Sequence, residues 1–582
     1  MARITGGEIL VRVFERHGVD VVFTLHGGHL DAIYQAARGR PVRWIDTRHE
    51  QAAGHAADGW ARTTGRVGVA LVTAGPGVTD VVTAVANAYL DCIPTLFVGG
   101  AAPLRDAETL PLQGGFDQVA LMRPITKWAH RVTHTHRIGD LVAQALRMAT
   151  TGRPGPVFLE LPIDVLFGTA DEAQVMIPRH LRPEAAPAPS PAAVEQAIAR
   201  LARAERPVVL AGGGVWFAGA GPALVAFAER TGIPVCSTGK AHGVLPADHP
   251  CCGRGAFTLA ALAAGGMAPD VVLVLGARLG LFTGGRAGGF LAGAELIQVD
   301  VAGEEIGRNR DVELGIVADC GETLRAFDAS ARERTWPDRT GWCETVRQSA
   351  GMSSLLFGES LTATSGPIHP YRLAHDVAAV AGPEAVLVGD GGETATWLEM
   401  AAGIHGGGRW LSHGYLGCLG TGMPFAIAAK VAHPERPVVC MVGDGSVGLN
   451  LAEFDTMVRH GLPVVTVVNN DAQWGMSAHG QDLIFGAGHR VVTDLGPTRY
   501  DLAAAGLGCH AEHVERPEDL RPALARAFAA GRPACVNVLT DPAVISPVTI
   551  AMVGGAAPGE APPTEQGETV MPYYDNLRDE TR

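Results

Sequence analysis

The residues with the clearest chemical capacity form two clusters, a Gly-Asp-Gly at 443–445 and an Asn-Asn-Asp at 469–471. Each cluster follows an apolar run, at 438–442 and at 462–468, and an amphipathic segment separates them. This pattern predicts a strand–loop–helix–strand unit in which both clusters end strands of one parallel sheet. Open α/β sheets bind ligands at that carboxyl edge, so the pattern predicts a ligand site there.

The side chains of the two clusters suit a metal ion and a phosphate. Asp444 and Asp471 offer the hard oxygen atoms that Mg²⁺ prefers, and Mg²⁺ keeps coordination positions for phosphate oxygens. Gly443 and Gly445 let the backbone approach those oxygens closely. A tight turn and a helix cap would account for each cluster alone, but their pairing at two strand ends favours the metal–phosphate site.

Composition excludes several classes of protein. With 582 residues the chain is too long for a single core, and about two to four domains are expected. The net charge of −14 argues against binding to nucleic acid or an anionic membrane. The ten cysteines include no C-x-x-C pair, which argues against a zinc site or a disulfide framework and indicates a reducing compartment. Since no apolar stretch approaches the ~20 residues of a membrane span and no secretory signal is evident, we expect a cytoplasmic protein.

Short β-branched runs alternate with helical stretches along the chain, which predicts α/β domains built on parallel sheets. Strands are predicted at 19–25, 42–46, 67–73, 95–98, 157–161, 207–211, 233–237, 271–275, 296–299, 315–318, 385–388, 438–442, 464–468 and 534–539. A Pro/Ala-rich stretch at 182–191 has the composition of a linker. We therefore expect three doubly wound domains and a tail, with bounds at 1–182, 191–345, 366–545 and 546–582.

The two clusters within three α/β blocks resemble the thiamine diphosphate (ThDP) enzymes of the acetolactate synthase/pyruvate oxidase superfamily. The resemblance implies pyrimidine-binding, central and diphosphate-binding domains, with ThDP and Mg²⁺ as cofactors. The second metal-ligand position of the family falls on Asp471, with Asn470 as the alternative and Gln473 as a further candidate. The central domain of such enzymes holds FAD or ADP in some members, and we do not expect either nucleotide here.

The resemblance also implies a glutamate that bonds to N1′ of the aminopyrimidine. That bond favours the imino tautomer, through which the cofactor removes its own C2 proton. The matching residue is Glu50, in the segment 44–62, WIDTRHEQAAGHAADGWAR. The alternative is that Glu50 only starts a helix, where an acidic residue suits the helix dipole.

Within the superfamily the chain resembles benzaldehyde lyase. The shared segments are LHGGHLDAIYQA at 25–36, LQGGFDQVALM at 112–122, ITKWAHRV at 125–132, LGARLGLFTG at 275–284 and SHGYLG at 412–417. The resemblance places His29 and Gln113 in the pocket above the thiazolium ring. A histidine has the intrinsic pKa to move a proton at a substrate hydroxyl or alkoxide. The alternative for His29 is a helix cap.

The same resemblance implies further contacts to the cofactor. The Gly417 carbonyl is expected to accept a hydrogen bond from N4′, and Leu419 to be the apolar wedge that bends the cofactor. The remaining expected contacts are Gly392, Glu393, Gly443, Gly445, Ser446, Trp474, Gly475 and Met476.

The expected activity is that of a ThDP- and Mg²⁺-dependent C–C lyase or carboligase acting on 2-hydroxy ketones and aldehydes. Ile163 and Met476 depart from benzaldehyde lyase and favour aliphatic substrates. Two alternatives remain open: a 2-hydroxyacyl-CoA lyase, in which the tail with Tyr573 and Tyr574 closes over CoA, and an acetolactate synthase-like enzyme that decarboxylates 2-oxoacids. Plain disorder of the tail is the other possibility. The resemblance further implies a homotetramer assembled as a dimer of dimers.

Overall fold

Three six-stranded parallel sheets organise the chain in the computed structural model, which describes residues 2–181, 185–284 and 289–553. All strand pairs within these three sheets are parallel. The α/β class and the number of sheets predicted from the sequence are confirmed. Among the described residues, no helix is both long and apolar enough to cross a bilayer.

The first sheet has the strand order β3-β2-β4-β5-β7-β6, and β1 and β8 form a separate antiparallel ribbon. The strands are β1 Arg3–Thr5, β2 Val21–Thr24, β3 Arg43–Asp46, β4 Gly68–Val72, β5 Thr95–Ala101, β6 Trp128–Arg131, β7 Val157–Pro162 and β8 Thr169–Asp171. The helices are α1 Gly6–His17, α2 Asp31–Ala37, α3 Glu50–Thr64, α4 Pro76–Asp80, α5 Val82–Leu90, α6 Gln118–Met122, α7 Ile138–Thr150 and α8 Ile163–Phe167.

The second sheet has the order β11-β10-β9-β12-β13-β14. Its strands are β9 Pro207–Ala211, β10 Val235–Ser237, β11 Cys252–Gly255, β12 Val271–Leu275, β13 Glu295–Asp300 and β14 Leu314–Val317. The helices are α9 Pro191–Arg203, α10 Gly213–Phe217, α11 Gly221–Thr231, α12 Phe257–Ala264, α13 Cys320–Ala331 and α14 Thr340–Ala350. Two short helices, α15 Met352–Leu356 and α16 Gly358–Thr362, lead on to the third sheet.

The third sheet has the order β16-β15-β17-β18-β20-β19. Its strands are β15 Val386–Asp390, β16 Trp410–Ser412, β17 Val438–Gly443, β18 Val465–Asn470, β19 His510–Val514 and β20 Ala534–Leu539. The helices are α17 Pro370–Ala381, α18 Gly392–Ala401, α19 Gly422–Ala432, α20 Asp444–Leu449, α21 Glu453–Arg459, α22 Gly475–Phe485, α23 Tyr500–Gly506, α24 Pro517–Ala529 and α25 Pro547–Val553.

Every predicted strand overlaps an observed one, but the edge strands β6, β11, β16 and β19 were not predicted. Central strands such as β4 and β9 are buried along their whole length, as strands covered on both faces must be. They therefore read as continuous apolar runs. By contrast β6 is only partly buried, and so is most of β19. These four edge strands lack the apolar run on which the prediction depends.

The described residues pack into two units. The first comprises the described residues of 1–185 together with 413–435 and 450–462, and the second comprises the described residues of 186–412, 436–449 and 463–553. Helices α19 and α21, although they follow strands of the third sheet, therefore belong to the unit of the first sheet. Residues 546–553 begin the predicted tail and contain α25, while Tyr573 and Tyr574 lie outside the described residues.

Helix α19 packs against α3 in the first unit at very close range. An added Cβ at Gly59 would lie 2.8 Å from Cα of Phe425, so this position of α3 requires glycine. Next to it, Arg62 forms ion pairs with the buried carboxylates of Asp58 and Asp91 and lies 5.0 Å from the centroid of the Phe425 ring. The backbone N–H of Tyr415 donates to the Asp91 carboxylate at 3.2 Å, which ties the start of the 413–435 segment to the same buried cluster.

Candidate functional site

The three turns that carry the predicted metal and phosphate residues meet at one edge of the third sheet. Strand β17 lies between β15 and β18, and Gly443 is opposite Asn469 while Asp390 is opposite Val442. The turns that follow these three strands therefore leave the sheet side by side, at its carboxyl edge. This is the arrangement that the sequence pattern predicted.

Asp444 and Asp471 bring two carboxylates together in this edge. Asp444 is buried, and its Oδ1 accepts the backbone N–H of Gly445 at 2.9 Å. Its Oδ2 is buried and has no hydrogen-bond partner among the described residues. Burial and the charge of Asp471 raise the pKa of Asp444, and burial together with the charge of Glu393 raises the pKa of Asp471. Two desolvated carboxylates that repel each other fit a divalent cation held between them.

Asn470 and Gln473 have their side chains engaged elsewhere. Asn470 donates to the carbonyl of Thr498 and to Oδ1 of Asn537, each at 3.0 Å, and its own oxygen accepts from the N–H of Ala472. Gln473 donates to Asp471 at 3.2 Å, while its oxygen accepts from Arg490 at 2.6 Å.

These contacts bear on the two alternatives for the second metal ligand. The Asn470 amide is used within the protein, which favours Asp471 as the candidate. The Gln473 side chain orients Asp471 instead of offering its own oxygen to a metal.

Glycines and large side chains interlock in the same edge. An added Cβ at Gly445 would lie 2.5 Å from the Trp474 ring, and one at Gly392 would lie 2.8 Å from the sulfur of Met476. The structure thus brings together the expected cofactor contacts from all three turns: Gly392, Gly443, Gly445, Ser446, Trp474, Gly475 and Met476. Only glycine at 392 and 445 leaves room for this packing.

Glu393, expected to be a cofactor contact, has its carboxylate occupied by protein groups instead. Both of its oxygens lie 3.0 Å from Nδ1 of His479 on α22. It also accepts from the hydroxyl of Thr549 and, at 3.3 Å, from the N–H of Ser546. Nε2 of His479 lies 2.9 Å from the carbonyl oxygen of Pro542.

Nε2 also lies 3.2 Å from the amide nitrogen of Gln473, so the His479 ring contacts the Glu393 carboxylate, the Pro542 carbonyl and the Gln473 amide. Burial lowers the pKa of His479, but the hydrogen bond and charge of Glu393 and the Pro542 carbonyl outweigh it, so that the pKa is raised. Sequence reasoning missed His479 because it is one of 21 histidines and stands in no recognised motif. Its partners Glu393 and Pro542 are 86 and 63 positions away in the chain.

Glu50 lies at the start of α3, directly after β3, in the first unit. Its side chain is only 8% exposed, and no hydrogen bond to its carboxylate is found among the described residues. The cap of α3 is His49, whose Nδ1 accepts from the N–H of Gln51 at 3.1 Å. A buried carboxylate without a protein partner is costly, so Glu50 fits a role toward a ligand better than the alternative of merely starting the helix.

His29 and Gln113 both border the turn that follows β4. Nδ1 of His29 lies 3.4 Å from the hydroxyl of Thr73, and Gln113 packs against Gly75 with a left-handed backbone (φ 57°). Burial lowers the pKa of His29, so its ring is neutral near pH 7. The helix-cap alternative fails, because the cap position of α2 is Leu30 and no side chain caps that helix.

Gln118 holds this turn in place and was not singled out from the sequence. Its Oε1 accepts from the N–H of Gly75 at 2.8 Å, and its amide nitrogen donates to the Gly100 carbonyl and to Glu160, both at 3.0 Å. It stands in the segment 112–122 that carried the family resemblance, which was the available signal.

Gly417 and Leu419 lie in the 413–435 segment, in the same unit as Glu50. Gly417 has a left-handed backbone (φ 64°) and is exposed, and Leu419 is half-buried. The residues expected to meet the pyrimidine ring therefore share the first unit, whereas Asp444 and Asp471 belong to the second.

Family models of thiamine pyrophosphate (ThDP) enzymes match the chain in three parts. The N-terminal TPP binding domain matches residues 4–121, the central domain matches 194–327, and the C-terminal TPP binding domain matches 390–538. The site described above thus lies in a chain with both ThDP-binding domains.

Known proteins match over nearly the whole chain. The acetolactate synthase large subunit IlvG of Mycobacterium tuberculosis is 38% identical, covering 93% of this chain and 96% of its own. Acetolactate synthase isozyme 1 large subunit of Escherichia coli is 32% identical, covering 93% and 94%. The 2-hydroxyacyl-CoA lyase 2 of Bos taurus is 33% identical, covering 88% and 86%. The chain belongs to the ThDP-dependent enzymes of the acetolactate synthase family.

These relatives are acetolactate synthases and 2-hydroxyacyl-CoA lyases. They support the superfamily predicted from the sequence, but they do not support the narrower resemblance to benzaldehyde lyase. The expectation that the substrates are 2-hydroxy ketones and aldehydes, which was drawn from that narrower resemblance, therefore loses support.

Proposed function

We propose that this protein is a ThDP- and Mg²⁺-dependent enzyme that decarboxylates a 2-oxoacid and joins the remaining unit to a second carbonyl compound, as an acetolactate synthase does. The paired carboxylates of Asp444 and Asp471, at the edge where the expected phosphate contacts converge, carry the cofactor part of this proposal. The 38% identity to an acetolactate synthase over 93% of the chain supports the reaction.

The residues present fit the two cofactors. Asp444 and Asp471 would hold Mg²⁺, because both carboxylates are desolvated and one oxygen of Asp444 has no hydrogen-bond partner in the described part of the chain. Gly443, Gly445 and Ser446 would contact the diphosphate. When bound, ThDP supplies a nucleophilic carbon and then stabilises the negative charge left after a bond to the substrate carbonyl carbon breaks.

The residues of the first unit would act on protons and on the substrate. Glu50, which is buried and has no hydrogen-bond partner among the described residues, would accept a hydrogen bond from the pyrimidine ring. His29, held neutral by burial, would accept a proton from a substrate hydroxyl or return one to a product alkoxide. Gln113 would donate a hydrogen bond to an oxygen of the substrate.

A second candidate is a 2-hydroxyacyl-CoA lyase. Besides the 33% identity to the bovine enzyme, the structure shows the segment that begins the predicted tail anchored at the site edge, where Ser546 and Thr549 bond to Glu393. A chain end docked there could extend over a long substrate such as an acyl-CoA. The relatives reported above favour these two candidates over the lyase or carboligase of 2-hydroxy ketones expected from the benzaldehyde lyase resemblance.

We further propose a homotetramer, assembled as a dimer of dimers. In support, the loop that carries Gln113 presents several large apolar side chains to solvent. Leu110 and Leu112 are each 84% exposed, and Phe116 is 45% exposed. A cluster of this kind beside a site is typical of a protein–protein interface.

The decisive experiment is a substrate comparison with the purified protein, ThDP and MgCl₂. Pyruvate, a 2-hydroxyacyl-CoA, acetoin and benzoin are incubated separately, and carbon dioxide, acetolactate and aldehydes are measured. We expect carbon dioxide and acetolactate from pyruvate, and neither product from the Glu50→Gln variant. Aldehyde from the acyl-CoA alone would establish the second candidate, and aldehyde from the hydroxy ketones alone would reinstate the original expectation. Each of these two aldehyde results would contradict the proposed decarboxylation of a 2-oxoacid, and so would the absence of turnover with every substrate.

A further inference from the structure

The thiols of Cys251 and Cys343 touch each other in the second sheet's domain, with their sulfur atoms 3.8 Å apart. Cys251 directly precedes β11, and Cys343 lies on α14, 92 positions later in the chain. All ten cysteines lie among the described residues, and none forms a disulfide. The pattern of cysteines in the sequence gave no sign of this pairing, because the two residues are so far apart.

Both thiols face the carboxyl end of α11. The sulfur of Cys343 lies 3.3 Å from the carbonyl oxygen of Gly232, and the sulfur of Cys251 lies 3.8 Å from the carbonyl oxygen of Ala228. Each residue is about 7% exposed, so both are close to the surface without being freely accessible. A disulfide has a sulfur–sulfur bond of about 2.05 Å, so the two atoms must approach by about 1.8 Å from their present separation.

The two thiols differ in acidity. The Cys343 thiol donates to the sulfur of Cys251, and this hydrogen bond lowers the pKa of Cys251 in spite of burial and the nearby Glu229. The same hydrogen bond, together with burial, raises the pKa of Cys343, although Arg339 and Arg347 oppose the shift. Cys251 is therefore the thiol that ionises first and attacks an oxidant, since the thiolate is the reactive form.

We propose that Cys251 and Cys343 are a redox-responsive pair that forms a reversible disulfide when the protein meets a peroxide. The Cys251 thiolate attacks one peroxide oxygen and becomes a sulfenic acid, while the other oxygen leaves as hydroxide and takes up a proton to form water. The Cys343 sulfur then attacks the sulfenic sulfur, and the hydroxyl group departs as a second water with the Cys343 proton. Two thiols are oxidised, one hydrogen peroxide is reduced, and an external thiol restores the pair by exchange.

The disulfide would connect α14 directly to the edge of the second sheet. Helix α14 is the last long helix before the chain continues into the third sheet's domain. Oxidation would thus close a covalent loop across the second domain, and a closed loop of this length restricts the unfolded chain strongly. The oxidised protein is expected to melt at a higher temperature than the reduced protein.

The test is peptide mapping of the full-length protein after treatment with hydrogen peroxide. Remaining thiols are alkylated under acidic quench, and the digest is analysed by mass spectrometry with and without dithiothreitol. We expect one cross-linked peptide pair containing Cys251 and Cys343, two hydrogen atoms lighter than the separate reduced peptides and lost on reduction. Recovery of both cysteines fully alkylated, at a peroxide dose that oxidises the more exposed Cys92, would overturn the proposal.

Two variants separate this pair from its neighbours. Cys343→Ser should abolish the cross-link and the melting shift, and should leave a sulfenic acid on Cys251 that dimedone traps severalfold more than in the unaltered protein. Cys252→Ser is the matched control, since Cys252 is adjacent in sequence but lies beside the Leu245 carbonyl, and it should keep the cross-link. If the cross-link disappears with Cys252→Ser and persists with Cys343→Ser, the disulfide involves Cys252 and not Cys343, and the proposal is wrong.

Discussion

His479 bridges Glu393 and the backbone carbonyl of Pro542, with Nδ1 3.0 Å from the carboxylate and Nε2 2.9 Å from the carbonyl oxygen. Because Glu393 stands at the first turn of α18 and His479 on α22, this bridge connects two elements of the site edge to the segment that leads into α25. His479 also contacts Gln473, whose amide donates to Asp471, one of the carboxylates expected to hold a metal. The bridge therefore fixes the position of α25 relative to the cofactor edge.

Replacing Glu393 by Gln should loosen α25. The amide replaces one of the two carboxylate oxygens that accept from His479, Ser546 and Thr549 by an NH₂ group, so buried hydrogen bonds are lost. Hydrogen exchange of residues 547–553 should become at least about tenfold faster, which corresponds to about 1.4 kcal/mol in the local opening equilibrium. Glu384→Gln, at an exposed position of the same domain, is the control and should change nothing. Unaltered exchange in Glu393→Gln would mean that α25 is held by other contacts.

Glu50→Gln should abolish turnover while the protein stays folded. The amide keeps the volume of the carboxylate but cannot favour the reactive tautomer of the pyrimidine ring. The rate should fall by about 10²–10⁴-fold, as for other lost proton-transfer elements. Glu15→Gln on the surface of α1 is a suitable control. Activity within a few-fold of the unaltered enzyme would remove Glu50 from the mechanism.

The choice of metal ligand can be tested by calorimetric titration with Mg²⁺ and ThDP. Asp444→Ala and Asp471→Ala should each eliminate measurable binding, because each removes one of two carboxylates from the site. Asn470→Ala should bind both cofactors with nearly unchanged affinity, since its amide serves the protein and not the metal. Loss of binding in Asn470→Ala with normal folding, and its retention in Asp471→Ala, would reverse the assignment.

His29→Ala should lower turnover by about 10- to 10³-fold, because water can replace the imidazole only poorly in proton transfer. The affinity for ThDP should not change, since His29 is expected to contact substrate and not cofactor. Thr73→Val, which removes the hydroxyl beside Nδ1 and leaves the imidazole, should cost much less. If His29→Ala weakens ThDP binding and leaves the saturated rate intact, the residue is structural.

Asp376 should make the folded state sensitive to acid. Burial raises its pKa, but the hydrogen bonds and charges of Arg521 and Arg372 outweigh burial, so the folded pKa is lowered. A carboxyl with a lowered folded pKa stabilises the protein above its unfolded pKa of about 3.9, and this stability disappears as the pH falls through the folded pKa. In urea unfolding, Asp376→Asn should cost about 1–3 kcal/mol at pH 7. The difference from the unaltered protein should shrink below about pH 4. A difference that is constant with pH would contradict the ion-pair explanation.

The sequence predicted the central strands of the sheets better than the edge strands. Buried strands such as β9 and β17 read as uninterrupted apolar runs because both faces are covered, whereas edge strands such as β6 and β19 mix polar and apolar residues. Strand β16 has only three residues, too few for any pattern.

The candidate site likewise contains residues that the sequence predicts and residues that it does not. Asp444 was predictable, because a motif after a strand fixes its position at the sheet edge. His479 and Gln118 were not, because each acts through partners from distant parts of the chain. For Glu393 the sequence predicted the location, but it could not predict that Thr549 and Ser546 would take up the carboxylate.

The packing of α19 against α3 limits how this chain can be divided. A recombinant fragment that ends at residue 185 would contain a complete first sheet, yet it would leave bare the helix face around Gly59 that Phe425 covers. Such a fragment should aggregate on its own. Supplied with a separate peptide spanning 413–435, it should regain solubility, which makes this helix a natural piece for split-protein complementation.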